Sequence, residues 1–215
     1  MLKTRIKASQ ISNLTDARYF AAWHVEWLGF DLDLASPNYC SPTQVQAIKG
    51  WVEGPKMIGE FGLQSPEDIL TAVDLLDLDG VQIAPFSSAS EIKAKVEVPI
   101  IKRLVPDSGE EVQELYDQIK VDAPHVEAFL LNLDKAGISW SMIKTGQSIP
   151  LSSLASWCRE FPIILSLNFQ AEEVDEILEQ VRPYGLNLIG GEEEKVGFKS
   201  FDDLDEVFEL LEELE

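Results

Sequence analysis

The sequence is short of cysteine, histidine and positive charge: it has two cysteines, two histidines and 17 basic residues against 38 acidic ones. Cys40 and Cys158 are too few and too far apart for a disulfide framework or a zinc site. They read as free thiols in a reducing compartment. The deficit of Lys and Arg leaves a formal net charge of −21. A nucleic-acid site needs cations to replace phosphate counterions, and an anionic bilayer surface attracts only basic segments, so neither partner is expected. Long apolar runs are missing too. No stretch approaches the roughly 20 apolar residues of a membrane helix, and the opening Met1-Leu2-Lys3-Thr4-Arg5 carries no signal-peptide core. The expectation is a soluble cytoplasmic protein whose acidic surplus is surface chemistry. His24 and His125 fall at a helix end and before a strand, and neither reads as catalytic.

What is present is alternation. Hydrophobic residues make up 45% of 215, enough for a sizeable core. Short β-rich runs occur at Leu2–Ala8, Trp27–Asp33, Lys56–Phe61, Gly80–Ala84, Val98–Leu104, Val126–Asn132, Phe161–Leu167 and Gly185–Gly190. Helical patterns lie between them at Leu14–His24, Thr43–Trp51, Pro66–Leu75, Ser88–Lys95, Glu110–Ile119, Ser139–Lys144, Ala171–Val181 and Phe201–Leu214. The segment Gly146–Ser153 reads as a loop. Ser41-Pro42 and Ser65-Pro66 each set a capping hydroxyl before a proline at the first helical position, where a missing N–H is no loss. The last helix gathers Phe201, Leu204, Val207, Phe208, Leu211 and Leu214 on one face, so its acidic run is a solvated face. The tryptophans, among them Trp23, Trp27, Trp51 and Trp140, read as packing residues. Strict alternation implies parallel strands with helical crossovers. Eight such units predict one α/β domain over 1–215, a closed (β/α)8 TIM barrel. An open doubly wound sheet fits less well, for no Gly-rich phosphate turn follows the first strand.

Particular fragments resemble a known family. Lys7-Ala8-Ser9-Gln10-Ile11-Ser12-Asn13-Leu14-Thr15-Asp16-Ala17 is similar to the opening signature of phosphoribosylanthranilate isomerases, Lys-Ile-Cys-Gly-Ile-Thr-Asn-x-x-Asp-Ala. Further matches are Gly29-Phe30, Ser36-Pro37-Asn38-Tyr39-Cys40-Ser41-Pro42, Gly59-Glu60-Phe61, Val81-Gln82-Ile83 and Ile101-Lys102. Near the C-terminus come Val181-Arg182-Pro183-Tyr184-Gly185-Leu186-Asn187, Gly190-Gly191-Glu192 and Gly197-Phe198-Lys199. The resemblance implies a barrel that performs an Amadori rearrangement, from aminoaldose to aminoketose, without metal or cofactor. It implies a Cys base on the first strand and an Asp acid ending the sixth, positions held here by Ser9 and Asn132. A hydroxyl is a poor anionic base at neutral pH, and an amide has no ionisable proton to give. The family's carboxylate-binding Arg corresponds to Asn38. Its Ser-Gly-Gly-Leu phosphate turn is replaced by Ser166-Leu167-Asn168-Phe169, and its sixth-strand loop keeps only Gly137. Gly190 and Gly191 are the phosphate-binding element that remains.

Side-chain alternation then assigns the barrel interior. Leu28, Phe30 and Leu32 face the helices, which sends Asp31 and Asp33 inward. Lys7, Ser9, Gln82, Ala84, Leu130, Asn132 and Asn187 point the same way, with either Lys102 or Arg103 from strand five. Lys7, Asp31, Asp33, Gln82, Asn38 and Asn187 are thus the candidate substrate-binding set, around a small polar or phosphorylated ligand. The rival reading is an internal network in which Lys7 and Lys102 neutralise Asp31 and Asp33. Asp134, two residues beyond Asn132, is a candidate substitute acid. Three functions follow: a family member that has lost most of the parent reaction, a working isomerase with an unusual acid and base, or a non-enzymatic scaffold. As to assembly, monomer and homodimer both remain open.

Overall fold

A computed structural model describes residues 1–106, 112–190, 193–195, 198–199 and 201–213. Eight parallel strands close into a barrel in sequence order: β1 (Arg5–Ser9), β2 (Trp27–Asp31), β3 (Lys56–Glu60), β4 (Gly80–Ile83), β5 (Ile100–Leu104), β6 (Ala128–Asn132), β7 (Ile163–Ser166) and β8 (Gly185–Ile189). Around it run α1 (Leu14–Ala22), α2 (Pro42–Lys49), α3 (Pro66–Leu76), α4 (Ala89–Lys93), α5 (Val112–Asp122), α6 (Trp140–Lys144), α7 (Leu151–Glu160), α8 (Val174–Gln180) and α9 (Asp202–Leu211). The predicted barrel is the observed one.

Helix starts follow local chemistry. Ser41 accepts from the Gln44 N–H ahead of Pro42, with Gln44 answering on the Ser41 backbone. Ser65 accepts from Asp68 ahead of Pro66. Each bond satisfies an otherwise orphaned backbone donor. On α9, Val207, Phe208 and Leu211 are buried, and Trp23 stacks on Phe208 at 5.0 Å. Leu214 lies outside the described residues.

Two departures from the predicted elements matter. The crossover after β6 is not one short helix and a loop; its main body is α7, with Leu154, Ala155, Trp157 and Cys158 buried. Leu151, Leu154, Ala155 and Cys158 keep helical spacing, but the run opens on Pro150 and two serines, which mimics a loop. The other is a short antiparallel hairpin between β8 and α9, Glu193–Lys195 with Phe198–Lys199. Trp51 is also corrected: it is 69% exposed rather than packed.

Two cores result. A large one fills the space between strands and helices, with Phe20, Phe30, Ile83, Phe129 and Trp140 fully or almost fully buried. A small one, Trp27, Ile58, Ile101, Ala128, Leu130 and Ile164, fills the barrel's own interior. Above this apolar plug the inward positions turn polar, and that sets the mouth.

The ring closes where Arg5–Ser9 pairs with Gly185–Ile189. A Cβ on Gly185 would lie 2.7 Å from the Arg5 carbonyl oxygen, a backbone atom that cannot step aside without opening the ladder. Gly185→Ala should therefore cost about 1–3 kcal/mol, as overpacking typically does. A denaturant titration checks it, and an unchanged midpoint would contradict the tight seam.

Candidate functional site

In (β/α)8 barrels the reacting groups sit at the C-terminal strand ends, and here those ends hold a connected polar cluster. β1 turns Lys7 and Ser9 inward, β3 Glu60, β8 Asn187 and β7 Ser166; all five are buried. The Lys7 ammonium forms an ion pair with Glu60 Oε1 and donates to Ser9 Oγ at 2.6 Å. The Ser9 hydroxyl stands 2.7 Å from Glu60 Oε1 and 2.7 Å from Asn187 Oδ1, with one proton to give. Asn187 Nδ2 reaches Ser166 Oγ at 3.3 Å. Burial holds the Lys7 pKa below the ordinary lysine value, the Glu60 carboxylate opposes that shift, and the Arg103 charge adds to it.

Several side chains face the way strand alternation sends them. Lys7, Ser9, Gln82 and Asn187 are inward, buried and close to one another in register, with Lys7 opposite Asn187 and Gln82 opposite Glu60. Asn132 ends β6 facing Ser166, but its Oδ1 accepts the Lys135 N–H at 2.8 Å, so it serves its own loop. Asn38 is exposed on the β2–α2 loop and donates to Gln10 Oε1 at 3.0 Å.

Other assignments are corrected. Lys7 pairs with neither Asp31 nor Asp33; its counter-ion is Glu60, not among the predicted site residues. β2 ends at Asp31, so Asp33 lies on the following loop rather than inside the barrel. Asp31 accepts from Ser36 Oγ at 2.6 Å and from the Asp33 N–H at 3.0 Å, both within that loop. Of the two strand-five cations, Arg103 is the inward one. Lys102 faces the helices, buried, where it donates to the Ser87 carbonyl and lies 3.7 Å from Asp122. Burial lowers its pKa, partly offset by Asp122. Gly190 follows β8 at the rim, while Gly191 lies outside the described residues.

Two clefts open at this end. One of about 320 Å³ lies over β2, β3 and β5, with Gln10, Asp31, Asp33, Asn38, Glu60 and Arg103 on its walls. The other, about 490 Å³, lies over β7 and β8, where the family's phosphate turns are expected. Its described walls carry Asp134, Glu172, Asp203 and Glu206 and no Lys or Arg. A larger cleft of about 800 Å³ sits at the opposite barrel end, by Met1, Lys3 and His24, away from every candidate residue. Among the described residues no cluster of three or more His, Cys, Asp or Glu is placed to hold a metal, and no helix is long and apolar enough to cross a membrane.

Both thiols are buried. Cys40, behind Asp31, has its pKa raised from 9.0 to about 11 by burial and by the Asp31 charge; burial alone raises Cys158 to about 12. A folded pKa above the unfolded one means this stabilisation is whole below pH 9 and is lost as the pH climbs through about 11 and 12. Neither thiol should react with a disulfide reagent at pH 8 until denaturant is added. Prompt labelling of the native chain would contradict their burial.

Comparison with known proteins agrees with this geometry. A family model described as "N-(5'phosphoribosyl)anthranilate (PRA) isomerase" matches residues 6–210. The N-(5'-phosphoribosyl)anthranilate isomerase of Marinomonas sp. (strain MWYL1) is 28% identical over 210 residues, covering 93% of each chain. Among solved structures, the phosphoribosyl anthranilate isomerase of Thermotoga maritima superposes with a TM-score of 0.77 at 21% identity, covering 96% of this chain and 97% of that one. A phosphoribosyl anthranilate isomerase in complex with reduced 1-(o-carboxyphenylamino)-1-deoxyribulose 5-phosphate superposes at 0.74, also at 21% identity and the same coverage.

Proposed function

The chain belongs to the N-(5'-phosphoribosyl)anthranilate isomerase family, and from that premise we propose that it is a divergent member in which the parent isomerisation is lost or very weak, while the mouth keeps a site for a small polar ligand. The observation that carries this reading is the state of the two substituted positions. Ser9 Oγ is tied into the Lys7–Glu60 ion pair, 2.7 Å from a carboxylate oxygen that opposes formation of an alkoxide. Asn132 has no proton to transfer, and its carbonyl oxygen is already bonded to the loop backbone. A base and an acid are both missing from the places the family resemblance assigns them.

Recognition of the parent substrate is weakened in the same direction. Asn38 supplies no guanidinium fork, and four carboxylates line the cleft where a phosphate would sit. In favour of a phosphorylated ligand stands the sequence pair Gly190-Gly191. The ligand read here is a small molecule, bound without cofactor or metal in a cytoplasmic setting that suits the two free thiols.

One observation favours a second reading, a working isomerase with an unusual base. Ser9 donates to Glu60, so a carboxylate is placed to receive a proton relayed through the hydroxyl. That reading still needs an acid, and Asp134 is exposed on the β6–α6 loop, lining the other cleft.

Steady-state assay of purified protein with phosphoribosylanthranilate separates the two. The first reading expects no turnover in the range of about 1–10³ s⁻¹ normal for enzymes, and no rescue of a tryptophan auxotroph that lacks the isomerase. Turnover within that range gives the case to the second.

A further inference from the structure

Two buried polar atoms on neighbouring strands have no partner among the described residues: Gln82 Oε1 on β4 and Arg103 Nε on β5. They lie on the same side of the barrel, since Gln82 pairs in register with Ile101, one inward position below Arg103. Native proteins rarely leave a buried donor or acceptor unbonded, and such an atom in a cleft wall is satisfied when something binds there.

Arg103 is the less explained of the two. It lines the 320 Å³ cleft together with Asp31, Asp33 and Glu60, yet makes no ion pair with any of them. Each acid is otherwise engaged. Asp31 holds Ser36 and the Asp33 backbone, Asp33 Oδ1 holds the Ala35 N–H at 3.0 Å, and Glu60 Oε1 holds Lys7 and Ser9. The second Glu60 oxygen carries none of these bonds. The cleft therefore presents a buried Arg103 Nε–H without an acceptor among the described residues, and in the same walls a Glu60 Oε2 that takes part in none of these bonds.

We propose that this cleft binds a small carboxylate bearing a hydroxyl or amine, with its carboxylate on the Arg103 fork and its donor toward Glu60. A guanidinium matches a planar carboxylate through two parallel N–H···O bonds and can grip a phosphate the same way, so the choice between them rests on the separate hydroxyl or amine that the ligand holds toward Glu60. The ligand's hydroxyl or amine supplies the missing donor to Glu60, whose carboxylate would repel an anion lacking one. Anion recognition thereby sits over β2, β3 and β5, because the cleft over β7 and β8 carries four acids and no base among its described walls. The inference rests on the mouth being a ligand site, as proposed above, and adds which chemistry it takes.

The test uses the intact chain, malate as the hydroxycarboxylate probe and inorganic phosphate as the competing anion. Malate should move the Arg103 Nε–H resonance downfield and raise the melting temperature, and phosphate should do neither at equal concentration. Arg103→Met should weaken malate binding about 10–100-fold, the loss expected for a charged hydrogen-bonded contact. Arg103→Lys, which keeps the charge without the fork, should lose most of the affinity as well. Because the resonance is read in the unaltered protein, a variant that fails to fold does not spoil the test. Malate that binds with Arg103 unmoved, or equally well to Arg103→Met, overturns the assignment of Arg103 but leaves the ligand site standing. Phosphate binding tighter than malate, or no malate binding at all, overturns the proposed ligand class. Turnover of phosphoribosylanthranilate, read in its own assay, bears on the functional reading alone.

Discussion

Glu60→Ala should be the most damaging single substitution in the barrel mouth, lowering the unfolding free energy by about 3–5 kcal/mol. The reason is what it leaves behind. Lys7 is fully buried, its other hydrogen bond goes to neutral Ser9, and the Arg103 charge already opposes its protonation. An ammonium stranded there must lose its proton or draw water into the barrel, and both cost stability. Asp31→Ala is the paired control: Asp31 is only half-buried, and its partners are a serine and a backbone N–H of its own loop. Its loss should cost less, about 1–3 kcal/mol, because the half-exposed carboxylate exchanges its two hydrogen bonds with water and leaves no buried charge behind. Replacing both Lys7 and Glu60 with apolar residues of similar volume should recover most of the loss, as buried pairs often do. Denaturant melts of the three variants decide the matter, and equal effects for Glu60→Ala and Asp31→Ala would refute the Lys7–Glu60 pairing.

The second large effect concerns chemistry. Returning an ionisable thiol and carboxyl, Ser9→Cys with Asn132→Asp, should raise isomerisation by about 10²–10⁴-fold for each group restored. The gain should appear mainly in kcat at saturating substrate, since neither change removes the acidic cleft over β7 and β8 or supplies a cation at Asn38. KM should therefore stay high. A double variant as inert as its parent would place the defect in binding rather than in proton transfer, and the next substitution would be Asn38→Arg.

Much of this was legible in the sequence, for identifiable reasons. Parallel strands with helical crossovers impose two periods on the chain, and eight repetitions leave little room for another architecture. Alternation alone set Lys7, Ser9, Gln82 and Asn187 inward. Glu60 is not among the site residues expected from the sequence, although the same rule, run along Lys56, Ile58 and Glu60, points it inward. Asp33 lies two residues past the end of its strand at Asp31, where alternation no longer fixes which way a side chain points. The choice between Lys102 and Arg103 could not be made without register, since adjacent residues of a strand always face opposite ways. Pairing of Arg103 with Leu130, one of the interior plug, settles it. No sequence pattern tells that Asn132 bonds Lys135, because that bond depends on how the following loop turns.

The seam between β1 and β8 has a kinetic consequence. Residues 5–9 must find residues 185–189, so the ladder that closes the ring spans almost the whole chain. Contacts of such large sequence separation are slow to form, because chain entropy is spent before they return any stability. Until they form, β1 and β8 are the two free edges of an open sheet, each offering unpaired N–H and C=O groups to another molecule. The half-closed species is thus the one most prone to pair with its own kind, and dilution during refolding favours the closed barrel over the aggregate.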